Sequence, residues 1–134
     1  MKFAKVVFWI AGVWGVLVLV PLYFMSDVIG RTDPPAITHL GYYFGFLNVT
    51  LAWQLAFFIL AQDPVRFRPM IIASIVEKVL YFASIIVLRS FGLVTKAECV
   101  VALPDLILAV MFTVAYAKTR SARSRLTPLT SSDQ

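Results

Sequence analysis

The chain has 134 residues, of which 60% are hydrophobic and only 14% are charged. Soluble domains are about 45–50% apolar and about 25% charged. This composition, with a mean hydropathy of +0.86, therefore excludes an ordinary soluble domain and a largely disordered chain. The net charge is +5, and the single cysteine, Cys99, excludes an intramolecular disulfide and a cysteine-based zinc cluster.

Four apolar runs are each long enough to cross a membrane as a helix of ~20 residues. In chain order they cover residues 6–24, 39–61, 70–88 and 97–117. The first run is longer than the apolar core of a secretion signal, and no clear cleavage site follows it, so we interpret it as a retained helix. The sequence therefore predicts an all-α integral membrane four-helix bundle over residues 1–117.

The basic residues outside these runs predict the orientation of the helices. One side has Arg31, Arg89 and Lys96. The other side has Lys2, Lys5, Arg66, Arg68, Lys118, Arg120, Arg123 and Arg125. Because the excess of Lys and Arg marks the cytoplasmic side, we expect both termini in the cytoplasm. Residues 118–134 are predicted to form a basic, disordered cytoplasmic tail in contact with anionic lipid headgroups.

Small residues recur at spacings of three and four on the second predicted helix. They are Gly41, Gly45, Asn48, Ala52 and Ala56, and we call this set the small-residue stripe. A Gly-x-x-x-Gly pair lets another backbone approach closely, so we expect this stripe to be a helix–helix contact, with Asn48 bonding across it. The neighbour is either a helix of this chain or a second copy.

The third predicted helix carries two ionisable residues, Glu77 and Lys78, on a polar stripe with Ser74, Tyr81 and Ser84. A charge within hydrocarbon costs ~2.5–3.5 kcal/mol even on the mild insertion scale, so these groups are expected to face the bundle interior. Adjacent residues project about 100° apart on a helix. We therefore expect Glu77 and Lys78 not to face each other and to have separate partners.

Depth along the helices indicates which partners are within reach. With a rise of ~1.5 Å per residue from the cytoplasmic boundary, Gln54 and Glu77 both lie about 12 Å deep, and Lys78 lies about 13–14 Å deep. Asp105 lies about 20 Å deep by the same rise. The pairs Lys78–Asp105 and Glu77–Gln54 are therefore geometrically allowed, and Lys78 is also close enough to the boundary to extend its ammonium towards water.

Pro104 and Asp105 leave two alternatives for the fourth predicted helix. A Thr95-Lys96-Ala97-Glu98 capping box favours a start near residue 96, which places Pro104 inside a kinked helix and buries Asp105. If the helix instead begins at Leu103, Pro104 is a first-turn proline and Asp105 favours the helix N-terminus.

The buried charges have a functional and a structural interpretation. In the functional one they form a ligand-binding or proton site, for which the candidates are Glu77, Lys78, Asp105, Gln54, Tyr81 and Trp53. In the structural one, two acids and one base form a salt-bridge network that fixes packing. The lone His39 and the absence of nucleotide or protease motifs predict no metal site and no cofactor, and the basic tail is not interpreted as a nucleic-acid site.

Three segments resemble small four-helix bacterial membrane proteins of the DoxX-like kind. They are Pro21-Leu22-Tyr23-Phe24, Gly41-Tyr42-Tyr43-Phe44-Gly45-Phe46 and Asp105-Leu106-Ile107-Leu108-Ala109, together with the basic second connection. This resemblance implies a four-helix fold and a multi-pass location in a bacterial inner membrane, and no functional residue. The chain is also similar to the emopamil-binding group in having buried acids and aromatic side chains, which in that group bind amines or sterols.

These features together favour a non-enzymatic role in the bilayer. We expect the protein to bind a membrane protein partner, a second copy of itself or a hydrophobic ligand. The alternative is a small proton-coupled transporter, or a lipid- or sterol-type isomerase, that uses buried Glu77 and Asp105.

Overall fold

The chain is all-α throughout the part that the computed structural model describes, which is residues 2–32 and 35–126, with side chains through residue 120. This part contains five helices: α1 (Lys2–Leu22), α2 (Ser26–Thr32), α3 (Leu40–Gln62), α4 (Arg68–Ser90) and α5 (Lys96–Leu126). Four of them, α1, α3, α4 and α5, are long and apolar enough to cross a membrane. The prediction of four long apolar helices is confirmed.

The helix limits differ from the predicted ones mainly in two places. The short helix α2 lies in the first connection, where no helix was predicted. Helix α5 continues nine residues beyond the predicted end at residue 117, so the predicted tail begins inside this helix. Residues 118–126 contain Lys, Arg and Ala, which favour helix, and the first helix-breaking residue is Pro128. The remainder of the predicted tail, residues 127–134, lies outside the described residues.

The chain divides into two compact units. One comprises residues 8–59, which hold most of α1, all of α2 and most of α3. The other is formed by the chain on either side of that segment and includes α4 and α5. This division separates the predicted site residues, because Trp53 and Gln54 belong to the first unit while Glu77, Lys78 and Asp105 belong to the second.

Glycines on α1 make room for large side chains of α3 in the first unit. A Cβ atom at Gly12 would lie 2.7 Å from Cε1 of Phe58, and one at Gly15 would overlap the side-chain amide of Gln54. Beside them, the Trp9 ring lies 5.0 Å from the Phe58 ring between centroids. A side chain at either glycine would therefore require the Phe58 ring or the Gln54 side chain to move.

Two tyrosines connect the end of α1 to α3. The hydroxyl of Tyr23 donates to Oδ1 of Asn48 at 2.7 Å, and the hydroxyl of Tyr43 donates to the carbonyl of Leu22 at 2.7 Å. The second bond provides a partner for one of the last carbonyls of α1, which has none within its own helix. The two bonds also fix the register of α1 against α3.

Helices α4 and α5 pack along each other in the second unit, with an unusual distribution of side chains. The buried residues of α4 are Ile71, Ser74 and Lys78, so two of the three are polar. Apolar side chains on the other faces of α4 are exposed: Met70, Ile72, Val76, Val79, Leu80, Ile86 and Val87. This is the reverse of a soluble helix, whose apolar stripe faces the core. It is the arrangement expected where the surroundings of the helix are apolar.

The connection between α4 and α5 uses two standard helix-end motifs. Gly92 has a φ of +72°, and the amide of Leu93 donates to the carbonyl of Leu88 at 3.0 Å, which closes α4 in a Schellman motif. At the start of α5, the Thr95 amide donates to Oε2 of Glu98 at 2.6 Å, and the Glu98 amide donates to Oγ1 of Thr95 at 3.3 Å. These reciprocal bonds confirm the predicted capping box.

The start of α5 at Lys96 decides between the two alternatives for Pro104. Pro104 lies inside the helix, so the alternative in which the helix begins at Leu103 is wrong. Proline has no amide hydrogen, and the carbonyl of Val100 therefore lacks its usual partner four residues along. The interior position also places Asp105 well into α5, where its carboxylate faces α4.

Candidate functional site

Lys78 is the centre of a group of charges between α4 and α5. Its side chain is buried, with 6% of the residue surface exposed. Its Nζ lies 2.6 Å from Oδ1 of Asp105 and 3.3 Å from Oε2 of Glu77. We call these three residues the ion cluster. With two carboxylates and one ammonium, the ionised cluster has a net charge of −1.

The two acids of the ion cluster are not equivalent. The Lys78–Asp105 distance is that of a short, charge-assisted hydrogen bond. Lys78 reaches Glu77 less closely, with a hydrogen bond of 3.4 Å to Oε1. Oε2 of Glu77 is buried and has no hydrogen-bond partner within the described residues, although it lies within ion-pair distance of Nζ. Glu77 is therefore the acid whose charge is compensated less completely.

The geometry corrects one expectation about Glu77 and Lys78. We expected adjacent residues to point away from each other and to have separate partners, but the Lys78 ammonium contacts both acids. The 100° angle applies to the Cβ directions, whereas the four-carbon stem of lysine lets Nζ lie far from the direction of its own Cβ. The expected Lys78–Asp105 pair is present.

The remaining residues of the polar stripe lie on α4 before and after the ion cluster. Ser74 is buried one turn before Lys78, and its hydroxyl donates to the carbonyl of Met70 at 2.9 Å. Tyr81 is half-buried one turn after Lys78. Ser84 is exposed and donates to Leu80 at 2.8 Å. The polar stripe is thus buried at its start, contains the ion cluster, and becomes exposed towards the end of α4.

The predicted site residues of α3 lie in the other unit. Gln54 is 2% exposed, and its Nε2 donates to the carbonyl of Thr50 at 2.8 Å. The Trp53 ring is half-buried and lies 6.1 Å from the Phe57 ring between centroids. The Glu77–Gln54 pair, and a common site that includes Trp53 and Gln54 with Glu77, Lys78, Asp105 and Tyr81, stay predictions.

The small-residue stripe does not contact another helix of the described chain at its two glycines. A Cβ atom at Gly41 or Gly45 would meet nothing within 4 Å, and Ala52 is also exposed. Asn48 is the exception, because its side chain accepts the hydrogen bond from Tyr23. No neighbour in the described residues lies within 4 Å of a Cβ atom at Gly41 or Gly45, so the helix that contacts the small-residue stripe, in this chain or in a second copy, stays a prediction.

The close approach of helices occurs instead at Gly12 and Gly15, which sequence reasoning did not single out. Both lie on α1, where large side chains of α3 occupy the space over them. A signal was present, since Gly12-x-x-Gly15 puts two small residues on neighbouring positions of one helix face. The helix–helix contact was predicted instead at the Gly-x-x-x-Gly pair on α3, because that spacing matches a known association motif more closely.

Within residues 2–32 and 35–126, no three His, Cys, Asp or Glu side chains lie close enough together to hold a metal ion. Comparison with protein-family models, curated proteins and solved structures finds no match to this chain. The functional conclusion therefore depends on the chemistry of the ion cluster. That chemistry is two carboxylates around one buried ammonium, with one carboxylate oxygen, Oε2 of Glu77, that makes no hydrogen bond within the described residues.

Proposed function

We propose that this chain is a multi-pass protein of the bacterial inner membrane, with both termini in the cytoplasm, that binds a hydrophobic ligand at the ion cluster. Four long apolar helices and the outward-facing apolar side chains of α4 support a membrane location. The eight-to-three distribution of Lys and Arg outside the apolar runs supports the orientation. The DoxX-like resemblance stays a prediction that concerns fold and location alone.

The observation that carries the ligand proposal is the buried Oε2 of Glu77, which has no hydrogen-bond partner within the described residues. Two carboxylates share one ammonium in the ion cluster, and the surplus negative charge is unfavourable in apolar surroundings unless a further positively charged group lies beside it. The ligand class that supplies such a group from within a bilayer is an apolar molecule with one protonated amine. The ammonium would donate to Glu77, and the apolar part would lie along the exposed apolar side chains of α4.

The test uses the full chain in lipid nanodiscs and two matched probes, dodecylamine and dodecanol, with protein-free nanodiscs as the blank. We expect saturable binding of the amine, no saturable binding of the alcohol, and at least a tenfold weaker amine affinity in Glu77→Gln. Glu98→Gln is the control, because it removes the same charge from the capping box of α5. Equal binding of the two probes, or equal loss in the two variants, would contradict the proposal.

The Glu77 carboxylate also supports an alternative function, which is proton-coupled transport. A proton on Glu77 neutralises the ion cluster without any ligand, and alternation between the two states would couple a proton to transport. In proteoliposomes containing a pH-sensitive dye, this alternative predicts proton flux that Glu77→Gln abolishes and Glu98→Gln retains. An isomerase acting on a bound lipid or sterol would require Glu77 and Asp105 as acid and base.

A protein partner is the second candidate function, and the exposed glycines of the small-residue stripe favour it. Nothing lies within 4 Å of a Cβ atom at Gly41 or Gly45, so a second backbone has room to approach. Native mass spectrometry after mild extraction reports copy number and any retained protein. Gly45→Leu is expected to abolish association, while Ala83→Leu, a similar change at an exposed position of α4, retains it. Association that survives Gly45→Leu removes this candidate.

A further inference from the structure

Basic side chains are concentrated at one end of the second unit, where α1 and α4 begin and α5 extends outward. We call this the basic end. Its described basic residues are Lys2, Lys5, Arg66, Arg68, Lys118 and Arg120, and its acidic residue is Asp63. Six positive charges against one negative charge leave a local net charge of +5. Such a density of one sign attracts anions to this end.

The one acid at the basic end is engaged by the backbone. Oδ1 of Asp63 accepts the amide of Val65 at 3.2 Å and the amide of Arg66 at 3.1 Å, which closes the turn between α3 and α4. Within the described residues, no basic side chain at this end forms an ion pair with an acid. The positive charge is therefore not neutralised by an ion pair within the described part of the second unit.

Aromatic rings hold two of these cations in place. The guanidinium of Arg68 lies 3.7 Å from the centroid of the Tyr116 ring, and Nζ of Lys118 lies 4.3 Å from that of Phe3. A cation–π contact orients a side chain but leaves its charge and its N–H donors in place. The ring sets the plane of the Arg68 guanidinium, and the buried Nε makes no hydrogen bond within the described residues.

A second arginine lies on the same side of α5. Arg120 follows Tyr116 by four residues, so the two positions are neighbours on one helix face. Arg120 is exposed, whereas Arg68 is half-buried beside the ring. Lys118 is two residues from Tyr116 and projects to a different side of the helix, towards Phe3. Arg68 therefore stacks on Tyr116, and exposed Arg120 occupies the next position on the same face of α5.

We propose that Arg68 and Arg120 bind the phosphate of an anionic phospholipid headgroup beside the Tyr116 ring. Guanidinium groups bind phosphate through paired N–H donors, and Arg68 has its plane already set by the ring. Its position at the first residue of α4 is the depth at which a headgroup meets a membrane-spanning helix. The site is separate from the ion cluster, which begins nine residues further along α4, or about 13 Å away by helical rise.

The experiment measures lipid binding by native mass spectrometry of the full chain, extracted in mild detergent and titrated with phosphatidylglycerol or phosphatidylcholine. We expect preferential retention of phosphatidylglycerol and about tenfold weaker retention in Arg68→Gln. Arg66→Gln is the matched control, because it removes the same charge two residues away, where the guanidinium lies over Phe67. Its expected effect is less than about threefold, the size of a general charge effect.

Two further variants and competition by inorganic phosphate distinguish this lipid site from a general charge effect and from the ion cluster. Tyr116→Leu keeps every charge and removes the stacking ring, so it is expected to weaken phosphatidylglycerol retention while far-UV circular dichroism stays unchanged. Glu77→Gln is expected to retain the lipid normally, which separates this site from the one proposed for hydrophobic amines. Equal effects of Arg68→Gln and Arg66→Gln, equal retention of the two lipids, or displacement by inorganic phosphate at millimolar concentration would each overturn the proposal.

Discussion

Replacing each member of the ion cluster in turn should give three different losses of stability. At an effective dielectric constant of ~20, charges 2.6 Å apart attract by about 6 kcal/mol and charges 3.3 Å apart by about 5 kcal/mol, before desolvation is subtracted. These attractions are similar in size. Hydrogen bonding and net charge therefore decide which acid contributes more to the stability of α4 against α5.

Lys78→Met leaves two carboxylates without a counterion and is expected to cost about 3–5 kcal/mol. Asp105→Asn removes one side of a short charged hydrogen bond and is expected to cost about 1.5–3 kcal/mol. Glu77→Gln keeps an oxygen acceptor and removes the surplus charge, so the expected cost is less than about 1 kcal/mol. The order follows from the geometry, since Asp105 lies closer to Nζ than Glu77 does.

The free energy of unfolding is measured by SDS titration of the protein in mixed micelles, with far-UV circular dichroism as the signal. Ser84→Ala is the control on α4, because Ser84 is exposed and bonds to a carbonyl of its own helix. It is expected to change stability by less than about 0.5 kcal/mol. Equal costs for the three cluster variants, or the largest cost for Glu77→Gln, would refute the assignment of Asp105 as the stronger partner.

Three further predictions concern helix packing and helix ends, and the same unfolding assay measures each of them. Gly15→Ala is expected to cost about 1–3 kcal/mol, because the new Cβ overlaps Gln54, and adding Gln54→Ala should restore part of the loss. Gly92→Ala is expected to cost about 1–2 kcal/mol, because its φ of +72° is strained for residues with a side chain. Thr95→Ala is expected to cost about 1 kcal/mol through loss of the cap, and a cost near zero would show that the Glu98 bond to the Thr95 backbone suffices.

Local signals in the sequence were sufficient to predict most of the helices. A run of about 20 apolar residues specifies a long helix regardless of its neighbours. The capping box at Thr95 depends only on residues three apart. The end of α5 was harder to predict, because a basic segment is equally typical of a solvated helix and of a disordered tail. Composition cannot separate these two when the side chains favour helix and no breaker occurs before Pro128.

Contacts between helices were predictable only in part. The depths of Asp105 and Lys78 along their helices allowed the Lys78–Asp105 pair that the structure contains, but did not single it out. The Glu77–Lys78 contact was missed because helical periodicity describes the Cβ direction and not the reach of a long side chain. The roles of Gly12 and Gly15 depend on which α3 side chains lie over them, and a sequence read one helix at a time does not contain that information.

The structural and functional interpretations of the ion cluster make opposite predictions for a variant that removes all three charges. In Glu77→Leu/Lys78→Met/Asp105→Leu, apolar side chains replace a buried ionic network. Such replacements are often neutral or stabilising by about 1–4 kcal/mol, because the desolvation of the ions is no longer required. If the ion cluster exists for ligand binding, the triple variant should be at least as stable as the natural protein and should lose saturable dodecylamine binding.

If the ion cluster instead fixes the packing of α4 against α5, the triple variant should be less stable or misassembled, and no amine affinity should have been present to lose. Unfolding in SDS and amine binding in nanodiscs, measured on the same preparation, therefore separate the two interpretations. Amine binding that persists in a stable triple variant would place the ligand elsewhere and end the proposal for Glu77. The single variants Lys78→Met and Asp105→Asn cannot make this distinction, because each breaks the closest ion pair of the cluster and leaves the remaining charges buried.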